Sequence, residues 1–319
     1  MAQTIAASDA SYLLGIDGGG SKTESVLADR EGRVVARALA GASNPLRTGY
    51  ARAWFSLSEA GDLVLAKANI RAGHVRAVCA GLGGAGRHGV VRRVSAFLEG
   101  SYPNAAISVT TDLEVALEAA FGSAEGMILL AGTGSAAFGR DAVGRTARAG
   151  GLGPWVSDEG GAFDIGRSAV RAVVRAKEQR GPLTALSDHL LELHRSSDWD
   201  ALADQISKNP DDVFPRTFPL VAKLADQGDR VSREIMTGAA ASLAELAVAV
   251  AADLGWRERD FLLARMGGVH GRSKFLDAAI ERELARQLPR ACVVRAEMSP
   301  AEAAVRMAER LIGTKGNAA

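Results

Sequence analysis

The stretch Gly15-Ile16-Asp17-Gly18-Gly19-Gly20-Ser21-Lys22-Thr23 closes a short apolar run that begins at Tyr12. An apolar run that ends in an acid and three glycines predicts a buried strand entering a tight turn. Consecutive glycines let the backbone approach a phosphate closely and direct several amides at it. The hydroxyl and ammonium groups that follow would add donors, and Asp17 is placed to hold Mg²⁺ through water. The alternative is a glycine-rich hairpin turn with a solvated lysine.

The segment after the glycines has the pattern of a hairpin. Residues 23–29 and 33–40 are rich in valine, leucine and alanine, and they flank the turn Arg30-Glu31-Gly32. Rossmann and P-loop units instead place a helix directly after their glycine turn. The sequence therefore predicts a different phosphate-binding architecture, in which a strand, a glycine turn and a hairpin follow one another.

The same plan recurs in the middle of the chain. An apolar strand at 127–131 leads into Gly132-Thr133-Gly134-Ser135, and a second hairpin turns around 141–144. Between the two copies, strands alternate with helices, which is α/β organisation. We therefore predict an α/β protein of two duplicated halves with a cleft between them, each half supplying one glycine loop to a shared phosphate site. For the second loop, the alternative is again a plain tight turn.

A third candidate is Asp112, which follows a predicted strand in Thr110-Thr111-Asp112 and precedes a predicted helix over 113–121. A carboxylate at this point could accept the proton of a substrate hydroxyl as that hydroxyl attacks a phosphoryl group. The same residues also suit a structural role. Asp112 is a good helix N-cap, and Thr111 with Glu114 has the spacing of a capping box.

Two further glycine-rich segments have the character of ligand loops. Residues 150–161 run into a predicted helix and contain Asp158, which could accept hydrogen bonds from sugar hydroxyls. The alternative is that Asp158 and Glu159 only complement the helix dipole. The segment Gly267-Gly268-Val269-His270-Gly271 follows a buried strand, where a bare backbone leaves room for an adenine or ribose. A strand-to-helix turn explains it almost as well, and His270 is interpreted as a turn residue.

Composition and charge exclude several classes of protein. The 38 Lys and Arg residues against 37 Asp and Glu give a net charge of +1, so neither nucleic acid nor a membrane surface is expected as a partner. Cys79 and Cys292 lie far apart and outside any CxxC pattern, which argues against disulfides or structural zinc and favours a cytoplasmic protein. The apolar tract 239–254 is interrupted by polar residues and predicts a buried helix.

In this order, the five segments resemble the superfamily of sugar kinases, actin and heat-shock chaperone ATPases, and its N-acetylglucosamine kinase branch in particular. The resemblance spans nearly the whole chain. It implies two ribonuclease-H-like (actin-like ATPase) domains at 12–115 and 116–298, the first completed by a C-terminal helix at 299–313, with flexible tails at 1–11 and 314–319. It also implies ATP and Mg²⁺ as cofactors, a small-molecule sugar as substrate, and a homodimer, which is common among relatives.

The resemblance gives roles to individual residues by their positions in the motifs. Asp112 matches the family's catalytic aspartate. Asn44, by itself only a turn residue before Pro45, matches a sugar-binding asparagine. The implied cofactor-binding set is Asp17, Gly19, Gly20, Ser21, Lys22, Thr23, Gly132, Thr133, Gly134, Gly267, Gly268 and Gly271. The implied substrate-binding set is Asn44, Asp112, Ser135, Gly151, Leu152, Gly153 and Asp158.

The implied activity is transfer of the γ-phosphoryl group of ATP to the 6-hydroxyl of N-acetylglucosamine or glucosamine. Pro154 and Trp155 stand where the sugar loop varies within the branch, so the motifs do not separate acetylated from free amino sugars. Two alternatives stay open. One is an ATPase that activates a partner, resembling hydroxyacyl-CoA dehydratase activators, although Cys79 and Cys292 are badly spaced for their iron–sulfur cluster. The other is a non-catalytic sugar sensor, although eleven residues before the first strand are too few for a DNA-binding segment.

Overall fold

The computed structural model describes residues 11–313, which form two compact units. The first unit combines residues 11–123 with 297–313, and the second consists of 124–296. Each unit is built on one five-stranded sheet. The predicted α/β class is therefore confirmed.

The boundary between the units differs from the predicted one. The first unit continues to residue 123 and does not stop at 115, because helix α4 (Asp112–Phe121) runs through that position without a break. The predicted tails, 1–11 and 314–319, lie outside the described residues except for Ser11.

The sheet of the first unit is mixed, with strand order β3-β2-β1-β4-β5. Strands β1, β2 and β3 form an antiparallel meander, while β4 and β5 run parallel to β1. Its strands are β1 (Tyr12–Gly18), β2 (Thr23–Asp29), β3 (Val34–Ala40), β4 (Val75–Leu82) and β5 (Ala106–Thr111).

The sheet of the second unit repeats this topology, with order β8-β7-β6-β9-β10. Here β6, β7 and β8 form the meander, and β9 and β10 run parallel to β6. Its strands are β6 (Gly126–Ala131), β7 (Ser135–Arg140), β8 (Thr146–Gly150), β9 (Phe261–Met266) and β10 (Ala291–Val294). The predicted duplication of one supersecondary plan is thus confirmed at the level of strand order and direction.

The duplication extends to the hairpin turns. In the first unit, the Asp29 carboxylate accepts hydrogen bonds from the Arg33 amide at 2.9 Å and from Arg33 Nε at 2.8 Å. In the second unit, the Asp141 carboxylate accepts from the Arg145 amide at 2.8 Å and from Arg145 Nε at 3.2 Å. Both turns carry a glycine of positive φ just before the arginine. An aspartate four residues before an arginine therefore closes the same turn twice.

Helices cover the sheet of the first unit, and the last of them comes from the far end of the sequence. These helices are α1 (Pro45–Thr48), α2 (Tyr50–Ala68), α3 (His88–Ser101), α4 (Asp112–Phe121) and α11 (Pro300–Gly313). Ser299 and Glu302, whose spacing in the sequence predicts a capping box at the start of α11, form that box, since the Ser299 amide donates to Glu302 Oε2 at 2.9 Å. Helix α11 packs so closely on β1 that a β-carbon on Gly15 would lie 2.6 Å from the Val305 nitrogen. Glycine is therefore required at that point of the central strand.

Residues 182–230 are polar overall and helical in patches, a pattern that predicts packing on the outside of the second unit, yet the structure buries part of this segment. Its helices are α5 (Ala162–Lys177), α6 (Leu186–His194), α7 (Trp199–Lys208), α8 (Pro210–Gln227), α9 (Arg230–Asp253) and α10 (Lys274–Gln287). Within α8, Phe218 and Val221 belong to the hydrophobic core. A β-carbon on Gly166 of α5 would overlap the carbonyl oxygen of Phe214, so the two helix backbones touch. The outside placement of 182–230 is wrong for α8, whose apolar face completes the core.

One described helix, α9, is long and apolar enough to cross a membrane if only length and composition are considered. In the structure, Met236, Leu243 and Val250 of this helix are buried in the core of the second unit. This agrees with the predicted buried helix over 239–254, although the helix begins earlier, at Arg230.

Candidate active site

The first glycine loop joins β1 to β2. The Gly19 amide donates to the Lys22 carbonyl at 3.0 Å, which closes the turn with Gly20 and Ser21 at its tip. A β-carbon on Gly18 would overlap the Ser43 hydroxyl, so the strand cannot carry a side chain there. The predicted turn is present, and the Ser21 and Lys22 side chains are exposed beside it. Their contact with a phosphate stays a prediction.

A buried hydroxyl pair fastens this loop to residues 41–44. Thr23 Oγ1 lies 2.6 Å from the Gly41 carbonyl oxygen, to which it donates, and 2.8 Å from Ser43 Oγ. Thr23 and Ser43 are fully buried. The amides of Ser43 and Asn44 both donate to the Gly19 carbonyl, at 3.1 and 3.2 Å. The Thr23 hydroxyl therefore holds the segment in place, and a contact of Thr23 with a nucleotide stays a prediction.

Two residues predicted to bind sugar lie close to Gly83. Asn44 caps α1, its Oδ1 accepting from the Leu46 amide at 3.0 Å. A β-carbon on Gly83 would lie 2.9 Å from Asn44 Nδ2 and 3.4 Å from Asp112 Oδ2. The Gly83 amide in turn donates to the Gly18 carbonyl at 2.8 Å. The amide of Asn44 and the carboxylate of Asp112 are thus held together next to the first glycine loop.

The cap of α4 is Thr111 and not Asp112. The Glu114 amide donates to Thr111 Oγ1 at 3.1 Å, and the Thr111 amide donates to Glu114 Oε2 at 3.0 Å. The predicted capping box is confirmed, and the alternative that Asp112 is the N-cap is wrong. Asp112 is the first helical residue, and its Oδ1 accepts from the Leu113 amide at 3.1 Å. Helix capping therefore does not by itself account for an aspartate at 112.

The carboxyl group of Asp17 lies among other acids at the end of β1. Burial is the main cause that raises its pKa to about 7, and the negative charges of Asp112 and Glu24 raise it further, while Lys22 lowers it. Such a carboxyl lacks compensating positive charge. A bound divalent cation would supply that charge, so the residues present fit Mg²⁺. In residues 11–313, no cluster of three or more His, Cys, Asp or Glu side chains could hold a metal. Mg²⁺ would therefore depend largely on water and phosphate oxygens.

The second glycine loop rests on the start of α5. The Ala162 amide donates to the Gly132 carbonyl at 2.9 Å, and the Phe163 amide donates to the Thr133 carbonyl at 3.0 Å. A β-carbon on Gly161 would lie 2.7 Å from the carbonyl carbon of Gly134. The loop carbonyls therefore cap the helix, and the loop is held by close backbone contact.

Asp158 lies directly against this second loop. It is buried, and its φ of 72° is in the left-handed region that few residues other than glycine adopt. A β-carbon on Gly134 would lie 2.6 Å from Asp158 Cγ. Backbone strain of this kind is maintained only where the surrounding structure imposes it, and it is frequent at binding sites. Ser135, by contrast, donates its buried hydroxyl to the Glu159 carbonyl at 2.6 Å, so its predicted contact with substrate stays a prediction.

The loop before Asp158 exposes apolar side chains. Gly151 and Gly153 have φ values of 71° and 105°, which permit the sharp course of the loop. The Leu152 amide donates to Ser157 Oγ at 2.9 Å, and the Gly153 amide donates to Asp158 Oδ1 at 3.3 Å. The Leu152 side chain is 67% exposed. The loop is therefore internally braced while Leu152 points to its accessible side.

The predicted adenosine segment packs on the strand that enters the second loop. Gly267 has a φ of 100°, and a β-carbon there would lie 2.7 Å from the carbonyl carbon of Ala131. Among residues 11–313, no residue other than Gly268 and its two chain neighbours has an atom within 4 Å of a β-carbon built on Gly268, so the space over that residue is open. The Gly271 amide is engaged differently, since it donates to the Asp277 carboxylate at 3.0 Å.

His270 has the structural role predicted for it. Its Nε2 donates to the Leu129 carbonyl at 3.2 Å. Burial and the nearby Arg265 lower its pKa to about 4, so the ring is neutral at pH 7. A neutral ring that bonds to a strand carbonyl is a turn residue.

Sequence reasoning missed the contribution of Gly83 and Gly84. Gly84 has a φ of 87°, and a β-carbon built on it would lie 3.0 Å from Asn44 Oδ1. A signal was present, because this glycine pair follows a strand that runs parallel to β1. The carboxyl ends of parallel strands meet at one edge of a sheet, where α/β proteins bind ligands.

Comparison with known proteins finds a matching family model and related kinases. Residues 14–308 match the model of the BadF/BadG/BcrA/BcrD ATPase family. The chain is 30% identical over 311 residues to N-acetyl-D-glucosamine kinase from Dictyostelium discoideum, covering 93% of this chain and 97% of that one. It is 28% identical over 287 residues to N-acetylmuramic acid/N-acetylglucosamine kinase from Clostridium acetobutylicum, covering 89% and 93%.

A solved structure has the same fold. The crystal structure of a Chromobacterium violaceum protein proposed to be an N-acetylglucosamine kinase superposes with a TM-score of 0.76 at 25% sequence identity. The alignment covers 93% of this chain and 98% of that chain.

Proposed function

Because the chain belongs to the BadF/BadG/BcrA/BcrD ATPase family of the actin-like ATPase superfamily, we propose that it is an ATP-dependent amino-sugar kinase. It transfers the γ-phosphoryl group of ATP to the 6-hydroxyl of N-acetylglucosamine or glucosamine. One observation carries the proposal: Asn44 Nδ2 and Asp112 Oδ2 both lie close to Gly83, whose amide donates to the carbonyl of Gly18, the last residue of the strand before the first glycine loop. A hydroxyl-binding amide, a base and a phosphate loop are thereby joined in one unit.

In this proposal, Asp112 is the general base. Its Oδ1 is bonded to the backbone of α4, whereas Oδ2 faces Gly83 and the Asn44 amide. Asn44 Nδ2 is a donor and would orient the acceptor hydroxyl toward Oδ2. In phosphoryl transfer, positioning and charge stabilisation contribute more than proton abstraction, so an aspartate of ordinary basicity suffices.

Asp17 would hold Mg²⁺ through water in the same unit. When bound, Mg²⁺ neutralises phosphate charge and orients the transferred group. The residues around it have separate tasks: the Gly19 amide closes the turn on the Lys22 carbonyl, the amides of Gly20 and Ser21 bind phosphate oxygens, and the Lys22 ammonium offsets negative charge at the loop tip.

Residues of the second unit are proposed to contact nucleotide and sugar through backbone groups and through the Asp158 carboxylate. Thr133 and its glycine neighbours are proposed to contact phosphates, and the open face over Gly268 suits a flat adenosine. Asp158 would accept hydrogen bonds from sugar hydroxyls, supported by the strained conformation in which it is held. The braced loop at 151–153 would border the sugar.

A coupled ADP-release assay tests the proposal. The purified protein is offered ATP and Mg²⁺ with glucosamine, N-acetylglucosamine, N-acetylmannosamine, N-acetylmuramic acid or glucose. We expect ADP release to depend on an amino sugar. Equal ADP release without any sugar would refute the kinase and favour an ATPase that acts on a partner.

The variant Asp112→Asn tests the base. General-base catalysis contributes about 10²- to 10⁴-fold, so we expect a loss of that size in kcat with sugar and nucleotide binding retained. Asp253→Asn is the matched control, because Asp253 is exposed at the end of α9 and lies in the second unit. A near-native kcat for Asp112→Asn would remove the assignment of the base without affecting the assignment of the substrate.

A further inference from the structure

Arg47 lies against the tip of the first glycine loop. A β-carbon on Gly20 would lie 2.8 Å from Arg47 Nη1 and 3.4 Å from Arg47 Cζ. The arginine is partly buried and stands at the third position of the four-residue helix α1. Neither the glycine motif nor the family motifs that include Asn44 assign a role to this residue.

The position of Arg47 is set by the backbone that also positions Asn44. The backbone amide of Asn44 donates to the Gly19 carbonyl. The backbone amides of Arg47 and Thr48 donate to the backbone carbonyl of Asn44 at 3.1 and 3.0 Å. Thr48 Oγ1 donates to the same carbonyl at 3.0 Å. A short helix fixed at its first turn therefore carries an acceptor-binding amide at its start and a guanidinium near its end.

Acidic groups lie beside the loop. Asp17 is paired with Glu24 across β1 and β2, and Asp112 lies next to Gly83. One cation at the loop, Lys22, is 65% exposed and lies 4.0 Å from Glu24 Oε2, which makes it a loosely held charge. A guanidinium presents donors in a planar fork that matches phosphate oxygens, and it is always charged.

We propose that Arg47 binds the terminal phosphate of ATP and stabilises it during transfer. This inference rests on the proposed kinase function. The transferred phosphoryl group must lie next to the acceptor hydroxyl, which Asn44 is proposed to bind. Asn44 is the cap of α1 and Arg47 lies three residues later, about one helical turn away. The phosphate within reach of Arg47 is therefore the terminal one.

The transfer step balances without any proton being given up or taken by Arg47. The bond between the γ-phosphorus and the bridging oxygen of ADP breaks as the bond to the sugar 6-oxygen forms. The hydroxyl proton passes to Asp112, and the leaving oxygen keeps the electron pair. Arg47 stays protonated and in contact with the phosphoryl oxygens, which carry the charge in the transition state.

Nucleotide binding without sugar gives the direct test. The dissociation constants of the β,γ-imido analogue of ATP and of ADP are measured with Mg²⁺ by calorimetry for the wild type, Arg47→Gln and Arg47→Lys. A hydrogen bond to a charged group contributes more binding free energy than one between neutral groups. We therefore expect Arg47→Gln to weaken binding of the analogue by about 10- to 100-fold, with a much smaller effect on the binding of ADP. Arg47→Lys should fall between, because an ammonium keeps the charge but loses the fork.

Arg52→Gln is the matched control, since Arg52 is an exposed residue of α2 and its substitution removes the same charge from the same unit. It should bind both nucleotides like the wild type. Equal losses for the analogue and ADP, or no loss for either, would overturn the proposal. If Arg47→Gln does not fold, judged by circular dichroism, the conservative Arg47→Lys decides by the same ratio of the two constants. Failure of the kinase function appears separately, as absence of sugar-dependent ADP release by the wild type.

Discussion

Replacing Gly83 with alanine should selectively weaken sugar binding. The backbone at Gly83 is not in the left-handed region, so alanine is allowed there without strain. Its new methyl group would lie 2.9 Å from Asn44 Nδ2, closer than carbon and nitrogen normally approach, and 3.4 Å from Asp112 Oδ2. The side-chain amide of Asn44 must therefore move, while the glycine loop keeps its own hydrogen bonds.

The size of the effect follows from the hydrogen bond that is lost. One neutral hydrogen bond contributes about 0.5–1.5 kcal/mol net, which corresponds to about a 2- to 13-fold rise in the KM for the sugar. The accompanying displacement of the acceptor hydroxyl should also lower kcat, because phosphoryl transfer depends on alignment. The KM for ATP should change little.

Steady-state kinetics with each substrate varied in turn measure both constants. Gly89→Ala is the matched control, because no atom lies within 4 Å of a β-carbon at Gly89 and alanine suits helix α3. An unchanged sugar KM for Gly83→Ala, or equal changes in the sugar and ATP constants, would show that Asn44 does not contact the sugar.

Three further outcomes are expected. In the absence of nucleotide and metal, Asp17 should contribute a loss of stability as pH rises from about 4 to about 7, because its raised pKa makes the folded state bind the extra proton, whereas the lowered pKa of His270 contributes a gain over much of that range; the stability of the wild type relative to Asp17→Asn should therefore fall across this range in thermal unfolding. A thiol reagent at pH 8 should modify one cysteine in the native protein and two after unfolding, since Cys292 is exposed whereas burial raises the pKa of Cys79 to about 12; modification of both in the native state would contradict the buried position. Gly166→Ala should lower the free energy of unfolding in urea by about 1–3 kcal/mol, because its methyl group would overlap the Phe214 carbonyl; unchanged stability would mean that α5 and α8 are not in backbone contact.

Local patterns in the sequence predicted those parts of the site that depend on neighbouring residues. The turn between Gly18 and Thr23 follows from glycines at the end of an apolar run, and the box of Thr111 and Glu114 follows from their spacing. The junction of strand and helix at Asp112 was also predicted, although Asp112 lies one position after the cap, in the first turn of the helix.

Contacts between distant residues were not predictable in this way. The Thr23 hydroxyl is directed inward because residues 41–43 return to it, and no local pattern reports that return. The burial of α8 was missed because Pro215 and Pro219 interrupt the expected helical pattern, although both lie within the helix and its apolar face packs on α5. In each case, the deciding partner lies far away along the chain.

The packing of α11 on β1 has a consequence for synthesis on the ribosome. Strand β1 emerges before the whole second unit, and the helix that covers one of its faces, with Ala301 and Val305 against Leu13, emerges only after that unit. The second unit is continuous in sequence and can fold as soon as residue 296 has left the exit tunnel. The nascent first unit must wait with an uncovered apolar face, so a transcript cut short before Pro300 would yield a protein whose second half is complete and whose first half is not.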